Sequence, residues 1–259
     1  MEWNPTVHRA VLLAAGRGTR LGTLTTDRPK PMIPVRGRPV LEYIVVGLRA
    51  AGICEFLLVV GYRAEAIQAH FGDGSPWGVK IDYAMQEVPT GTGAAMALAR
   101  DFAGEEPILA SYGDILTDYT HYRALLAEYA AAPCAAVIGI NPVEDPSAGG
   151  AVYREGKRVV RVVEKPPPGF LGTPRVQVPG STAGSYWNLA GVSVYSPDLW
   201  PVLANIPRSP RGEYELTDAI QGLIAAGKEV RACEMTGFWS DVGTPEALAA
   251  AERAWKGNN

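Results

Sequence analysis

Histidine and cysteine are scarce, three of each in 259 residues. Cys54, Cys134 and Cys233 lie far apart, each in or beside an apolar stretch, and read as small buried thiols suited to a reducing cytoplasm. His8 opens an apolar strand, His70 lies in a helical stretch and His121 starts another, so all three read as structural. Positive charge is not in excess either. The net charge is -3 and the lysines and arginines are scattered, which argues against a nucleic-acid partner needing a concentrated basic face. No apolar run approaches the ~18 residues of a membrane span. The N-terminus, MEWNPTVHRA, lacks the basic segment and apolar stretch of a signal peptide. What is present is an ordinary globular composition, 47% hydrophobic and 20% charged, able to bury a sizeable core. The length fits one large domain, or one domain with a smaller lobe.

The first half alternates two kinds of segment. HRAVLLAA (8–15), EFLLVV (55–60), VKIDYAM (79–85), PILASYGD (107–114) and CAAVIGI (134–140) read as strands. Between them VLEYIVVGLRAAG (40–52), RAEAIQAHF (63–71), GAAMALARDF (93–102) and HYRALLAEYAAA (121–132) read as helices. Strands joined by helices predict right-handed crossovers and a mostly parallel sheet covered on both faces. The second half changes character: a hairpin around Glu155-Gly156, a proline- and glycine-rich loop over 166–184, and a strand at 187–195. A capped helix (215–227), short strands at 229–235 and 237–243, and a helix opening at Thr244-Pro245-Glu246 complete it.

The first strand runs into LAAGRGTRLGTLTTDRPK (13–30). The dinucleotide pattern fails there, because Gly16, Gly18 and Gly22 put the third glycine one residue late and the second strand ends without an acid. The Walker A pattern fails because no Gly-Lys-Ser/Thr follows. A lone Gly-x-Gly is compatible with a solvated loop. Here Gly16 and Gly18 free the backbone N–H groups to cradle anionic oxygens. Arg20 and the proline-flanked Lys30 bring two cations on stiff backbone, which suits an oligophosphate gaining charge as a bond breaks.

These residues resemble the sugar-1-phosphate nucleotidyltransferases, also called nucleoside-diphosphate-sugar pyrophosphorylases. The signature of that family is an apolar strand, then Gly-x-Gly-Thr-Arg-Leu, a Pro-Leu-Thr step and Pro-Lys. LAAGRGTRL, TLT and RPKPMIPV stand here in that order, with Thr23 where the family usually has proline. Further stretches follow in family order, so that the resemblance runs from about Val7 to about Ala251. QEVPTGTGAAMALA (86–99) resembles the base-recognition stretch. Read alone, Gln86 is a strand-end glutamine or a partner for the edge of uracil or thymine, while Gly91 and Gly93 would let the backbone approach a nucleoside. SYGDIL and FWSDVGTPEAL put Asp114 and Asp241 at strand ends. Without the resemblance each is an ordinary strand-end aspartate. With it, the pair is implied to hold the catalytic Mg²⁺, which shares its oxygen ligands with substrate phosphates. Asp114 and Asp118 do not form the Asp-x-Asp of metal-dependent glycosyltransferases. In VVEKPPPG, Glu164 is implied to bind sugar hydroxyls and Lys165 the sugar phosphate, and in WNLAGVSVYSP Asn188 is a sugar-contact candidate. Within RGEYELTDAI, Thr217 and Asp218 read as organising a helix start.

The resemblance implies an α/β, Rossmann-like fold of the nucleotide-diphospho-sugar transferase, GT-A-like type, with a mostly parallel sheet, helices on both faces and a smaller sugar-binding lobe. A single domain is expected over 1–259, about 1–140 serving the nucleotide and about 141–259 the sugar phosphate. The implied reaction joins a nucleoside triphosphate (UTP or dTTP) to a sugar 1-phosphate and releases pyrophosphate. Leu13, Ala14, Ala15, Gly16, Gly18, Thr19, Gln86, Gly91 and Asp114 would bind the nucleotide. Arg20, Lys30 and Lys165 would act in catalysis. Glu164, Lys165 and Asn188 would bind the sugar, and Asp114 and Asp241 Mg²⁺. The attacking phosphate oxygen is already anionic near neutral pH, so motifs free of His and Cys suffice. A guanylyl- or cytidylyltransferase of the same family, a glycosyltransferase and a non-catalytic nucleotide-sugar sensor are the alternatives. The resemblance is compatible with a homo-oligomer.

Overall fold

A computed structural model describes residues 6–167 and 186–257. β1 (Arg9–Ala14) leads through two 3₁₀ turns, Thr19–Thr25 and Lys30–Met32, into β2 (Pro34–Val35), β3 (Arg38–Pro39) and α1 (Val40–Ala50). Next come β4 (Glu55–Val60), α2 (Ala64–Phe71), β5 (Lys80–Met85), α3 (Thr92–Ala97) and α4 (Arg100–Ala103). β6 (Ile108–Tyr112), β7 (Ile115–Thr117), α5 (Tyr119–Ala131), β8 (Ala136–Val143), β9 (Gly150–Glu155) and β10 (Arg158–Glu164) follow. The chain continues with β11 (Tyr186–Tyr195), α6 (Leu199–Leu203), α7 (Leu216–Ala225), β12 (Val230–Glu234), β13 (Trp239–Asp241) and α8 (Pro245–Ala254).

After Arg9, β1 carries no polar side chain, and the structure explains why none is needed. It lies between β4 and β6, parallel to both. Ala10, Leu12 and Ala14 join a core shared with α1, α2 and α5, while Val11 joins one shared with α3, α6 and α7. Both faces are dry, so alternation of polar and apolar residues gives way to a continuous apolar run.

The nine strands run in the order β5-β4-β1-β6-β11-β8-β12-β10-β9. From β1 the chain moves outward to β4 and β5, then returns to β6 on the other flank of β1. Strand order therefore reverses at β1, and a crevice opens at the carboxyl ends of β1 and β6. The parallel arrangement expected from the sequence describes β5, β4, β1 and β6, and the separate pair of β8 with β12. Elsewhere β11 is antiparallel to β6 and β8, and β10 is antiparallel to β12 and β9. The β9–β10 turn, with Gly156 at φ 58°, is too short for a crossover helix.

Three expectations need correction or lie out of reach. The helix over 93–102 divides into α3 and α4, because the Leu98 and Ala99 N–H groups bond three residues back, to Ala95 and Met96, and tighten the turn. Cys134 and Cys233 are half-buried, but Cys54 is exposed, since it precedes β4 and has not yet entered the sheet. The loop over 166–184 lies outside the described residues from 168 onward. Among the described residues, no helix is long and apolar enough to cross a membrane.

Candidate active site

The crevice at β1 is built first from backbone. After Ala15 and Gly16 the chain reaches Gly18, which adopts the left-handed conformation at φ 72°. A Cβ at Gly18 would stand 2.7 Å from Cβ of Lys30, so glycine is what lets Lys30 lie against the loop. The Thr25 hydroxyl donates to the carbonyls of Gly18 and Gly22, each at 3.2 Å. Gly22, the glycine too late for a dinucleotide pattern, takes φ 57° and ψ -124° and kinks the 3₁₀ segment.

Lys30 is buried, and its ammonium donates to the Asp114 carboxylate and, at 2.9 Å, to Oδ1 of Asp241. The Arg20 guanidinium stands 3.8 Å from the other Asp241 oxygen. A small sheet explains how such distant residues meet. β13 pairs antiparallel with β7, setting Asp241 opposite Ile115, and the Val242 N–H donates to the Asp114 carbonyl at 3.0 Å. Burial draws the Lys30 ammonium down, but the two facing carboxylates outweigh it and its pKa stands above the ordinary 10.5. Asp241 is pushed above 3.8 by burial and by Asp114, against the pull of Lys30 and Arg20. Gly243 closes this cluster. A Cβ there would lie 2.7 Å from Oδ1 of Asp241 and 2.8 Å from Nζ of Lys30. Its signal in the sequence is a glycine two places after the aspartate of WSDVG.

A second cluster forms around Glu164, the last residue of β10. The Thr217 hydroxyl donates to its Oε2 at 2.7 Å, and the Lys165 ammonium stands 3.8 Å from its Oε1. Burial raises the Glu164 pKa above 4.5; the Thr217 bond opposes this and the nearby Glu215 adds to it. Lys165 has a left-handed φ of 39°, and its backbone N–H donates to Gly149 at 2.8 Å. Asn188 donates Nδ2 to the Leu189 carbonyl, and its Oδ1 is buried without a protein partner. The sequence reading misses Arg211, whose guanidinium reaches Glu215 at 2.5 Å, Glu213 at 3.1 Å and Glu164 at 3.6 Å. The signal is RGE just ahead of α7.

Both clusters open into one cavity of about 500 Å³. Leu13, Ala15, Gly16, Gln86 and Gly91 line it with Arg20, Lys30, Asp114 and Asp241. Glu164, Lys165, Asn188, Arg211 and Thr217 line it too. Thr217 therefore does more than start a helix; Asp218 is not among the walls. Ala14, Gly18 and Thr19 are also not among them: Ala14 is buried in the sheet, Gly18 makes room for Lys30, and Thr19 is exposed at the head of the 3₁₀ turn. The close approach expected of Gly91 and Gly93 is made to the chain itself. With φ 114°, Gly91 would put a Cβ 2.3 Å from the Tyr214 carbonyl, and Gly93 one 3.0 Å from it. Gln86 donates Nε2 to the Gly91 carbonyl at 3.1 Å, which leaves its own carbonyl to accept.

The donor set at Asp114 and Asp241 fits a hard divalent cation. Two carboxylates already gather round one positive charge, that of Lys30, and all donors are oxygens. Among the described residues no group of three or more His, Cys, Asp or Glu forms a metal cluster, so the remaining ligands would come from substrate or water.

A family model described as Nucleotidyl transferase matches residues 9–257. The chain belongs to the nucleotidyl transferase family. Relatives in that family include a glucose-1-phosphate thymidylyltransferase of Streptomyces griseus, 35% identical over 95% of this chain and 65% of the relative. A low-salt glycan biosynthesis nucleotidyltransferase, Agl11, of Haloferax volcanii is 34% identical over 95% of this chain and 65% of its own. The chain thus spans slightly under two thirds of these curated relatives. A solved UDP-glucose pyrophosphorylase in complex with UDP-glucose superposes with a TM-score of 0.81 at 22% identity, covering 96% of this chain and 98% of that one. The nucleotidyl transferase assignment and this superposition agree on the GT-A-like α/β fold.

Proposed function

We propose that this chain transfers a nucleotidyl group from a nucleoside triphosphate, UTP or dTTP, to a sugar 1-phosphate, giving a nucleotide-sugar and pyrophosphate. The observation that carries this reading is a single cavity onto which Arg20, Lys30, Lys165, Arg211 and the Asp114–Asp241 pair converge behind a glycine loop. The Streptomyces griseus relative, a glucose-1-phosphate thymidylyltransferase, supports it. An oxygen of the sugar phosphate attacks the α-phosphorus, the bond to the bridging oxygen breaks, and pyrophosphate leaves with the electron pair. The loop backbone and Arg20 hold the triphosphate and the departing pyrophosphate, and Lys30 offsets charge at the α- and β-phosphates. Lys165, with Arg211, draws in the sugar phosphate. Glu164, held by Thr217, and the unpartnered Oδ1 of Asn188 accept from sugar hydroxyls. Gln86 offers its free carbonyl to the N3–H of a pyrimidine. Asp114 and Asp241 would hold Mg²⁺, which when bound supplies charge neutralisation at the phosphates. Position and charge carry the reaction, with no side chain required to take a proton.

On this reading one domain holds both functions, nucleotide over about 1–140 and sugar phosphate over about 141–259. Three unpaired thiols favour the cytoplasm. The test is pyrophosphate release from four triphosphates against several sugar 1-phosphates. Release is expected with UTP or dTTP, and Asp114→Ala or Asp241→Ala should lower it by about 100-fold or more. Release from no substrate pair would sink the proposal.

A further inference from the structure

We infer that Tyr62 is a positioning residue for the triphosphate loop: it closes the segment from Ala15 to Thr26 so that the backbone donors form one fixed surface for phosphate. This rests on the triphosphate reading of the cavity. Backbone N–H groups bind an anion well only if they are held in place before it arrives. The loop's own packing does little of that work, because between Gly16 and Thr26 only Leu21 and Thr25 are buried.

Tyr62 follows β4 by two residues and reaches the loop from outside. Its backbone N–H donates to the Ala15 carbonyl at 3.3 Å. Its hydroxyl lies 3.1 Å from the Thr25 carbonyl and 3.0 Å from that of Thr26, one proton shared between two acceptors. One residue therefore grips both ends of the loop. Gly61 makes the approach feasible, since a Cβ there would stand 3.0 Å from the Ala15 side chain and carbonyl. A third point is tied by Arg17, whose guanidinium lies 5.2 Å from the centre of the Tyr62 ring. Arg63 adds a bond to the Thr26 carbonyl at 3.1 Å. Tyr62 is not among the cavity walls, so it acts through the loop.

Tyr62→Phe keeps the ring and the Arg17 contact and removes only the hydroxyl. Calorimetric binding of dTTP and UTP, without sugar phosphate, should weaken about three- to tenfold. The melting temperature and the KM for glucose 1-phosphate should not move. Arg63→Gly, at a φ of 55° that suits glycine, should weaken triphosphate binding in the same direction by a smaller factor. Unchanged triphosphate affinity in Tyr62→Phe, or equal weakening towards both substrates, overturns the clamp. Triphosphate binding without pyrophosphate release by the wild type would leave the clamp standing and overturn the transfer reaction.

Discussion

Lys30 faces Asp114 and Asp241, and Arg211 faces Glu164, Glu213 and Glu215, so both cations already hold carboxylate partners before any polyanion enters. A phosphate then has to take the place of a carboxylate partner, which favours ligands carrying more than one charge. Glu164 shows the cost of that arrangement. Its folded pKa lies above the ordinary 4.5, so its contribution to stability is full below that value and is lost as pH rises through the raised one. Glu164→Gln should therefore melt higher than the wild type at neutral pH, with the difference vanishing below pH 4.5; thermal unfolding across pH reads it directly. Asp114 and Asp241 are legible in the sequence as motif aspartates, but their meeting around Lys30 is not. Arg211 is harder still, because its place among three glutamates depends on where β10 and α7 pack.

The elements themselves are mostly plain in the sequence, since runs such as EFLLVV and a Thr-Pro-Glu helix start carry local signals. The short pairing of β7 with β13 has none, three residues on each side being too few for a pattern. That pairing and the turn at Gly243 set the aspartate cluster. Gly243→Ala would drive a Cβ into the ends of flexible side chains, Asp241, Lys30 and Arg20, which can yield without disturbing the backbone. The expected outcome is a melting temperature close to wild type with turnover down by about 100-fold. A matching loss of stability would show instead that the turn cannot adapt.

Across the whole molecule, the order of strands is the least legible feature. β11 lies between β6 and β8 although β7 to β10 come between it and β6 in the chain, and nothing in its own residues names those neighbours. The sheet consequently crosses the boundary proposed near residue 140, and a cut there leaves β6 with an unpaired edge. A fragment of residues 1–140 should aggregate or lack a cooperative thermal transition by circular dichroism, whereas the full chain should show one. A cooperative, soluble fragment would mean that β5, β4, β1 and β6 suffice without β11.

The reach of β13 also sets an order of events during synthesis. Lys30 and Asp241 are 211 residues apart, and the phosphate loop emerges with the first strand. A growing chain therefore carries this loop long before it owns Asp241, but β6 gains its second neighbour only when β11 has emerged. The aspartate pair is complete only once β13, the last strand, has paired with β7, so on the proposed reading cleavage has to wait for that pairing.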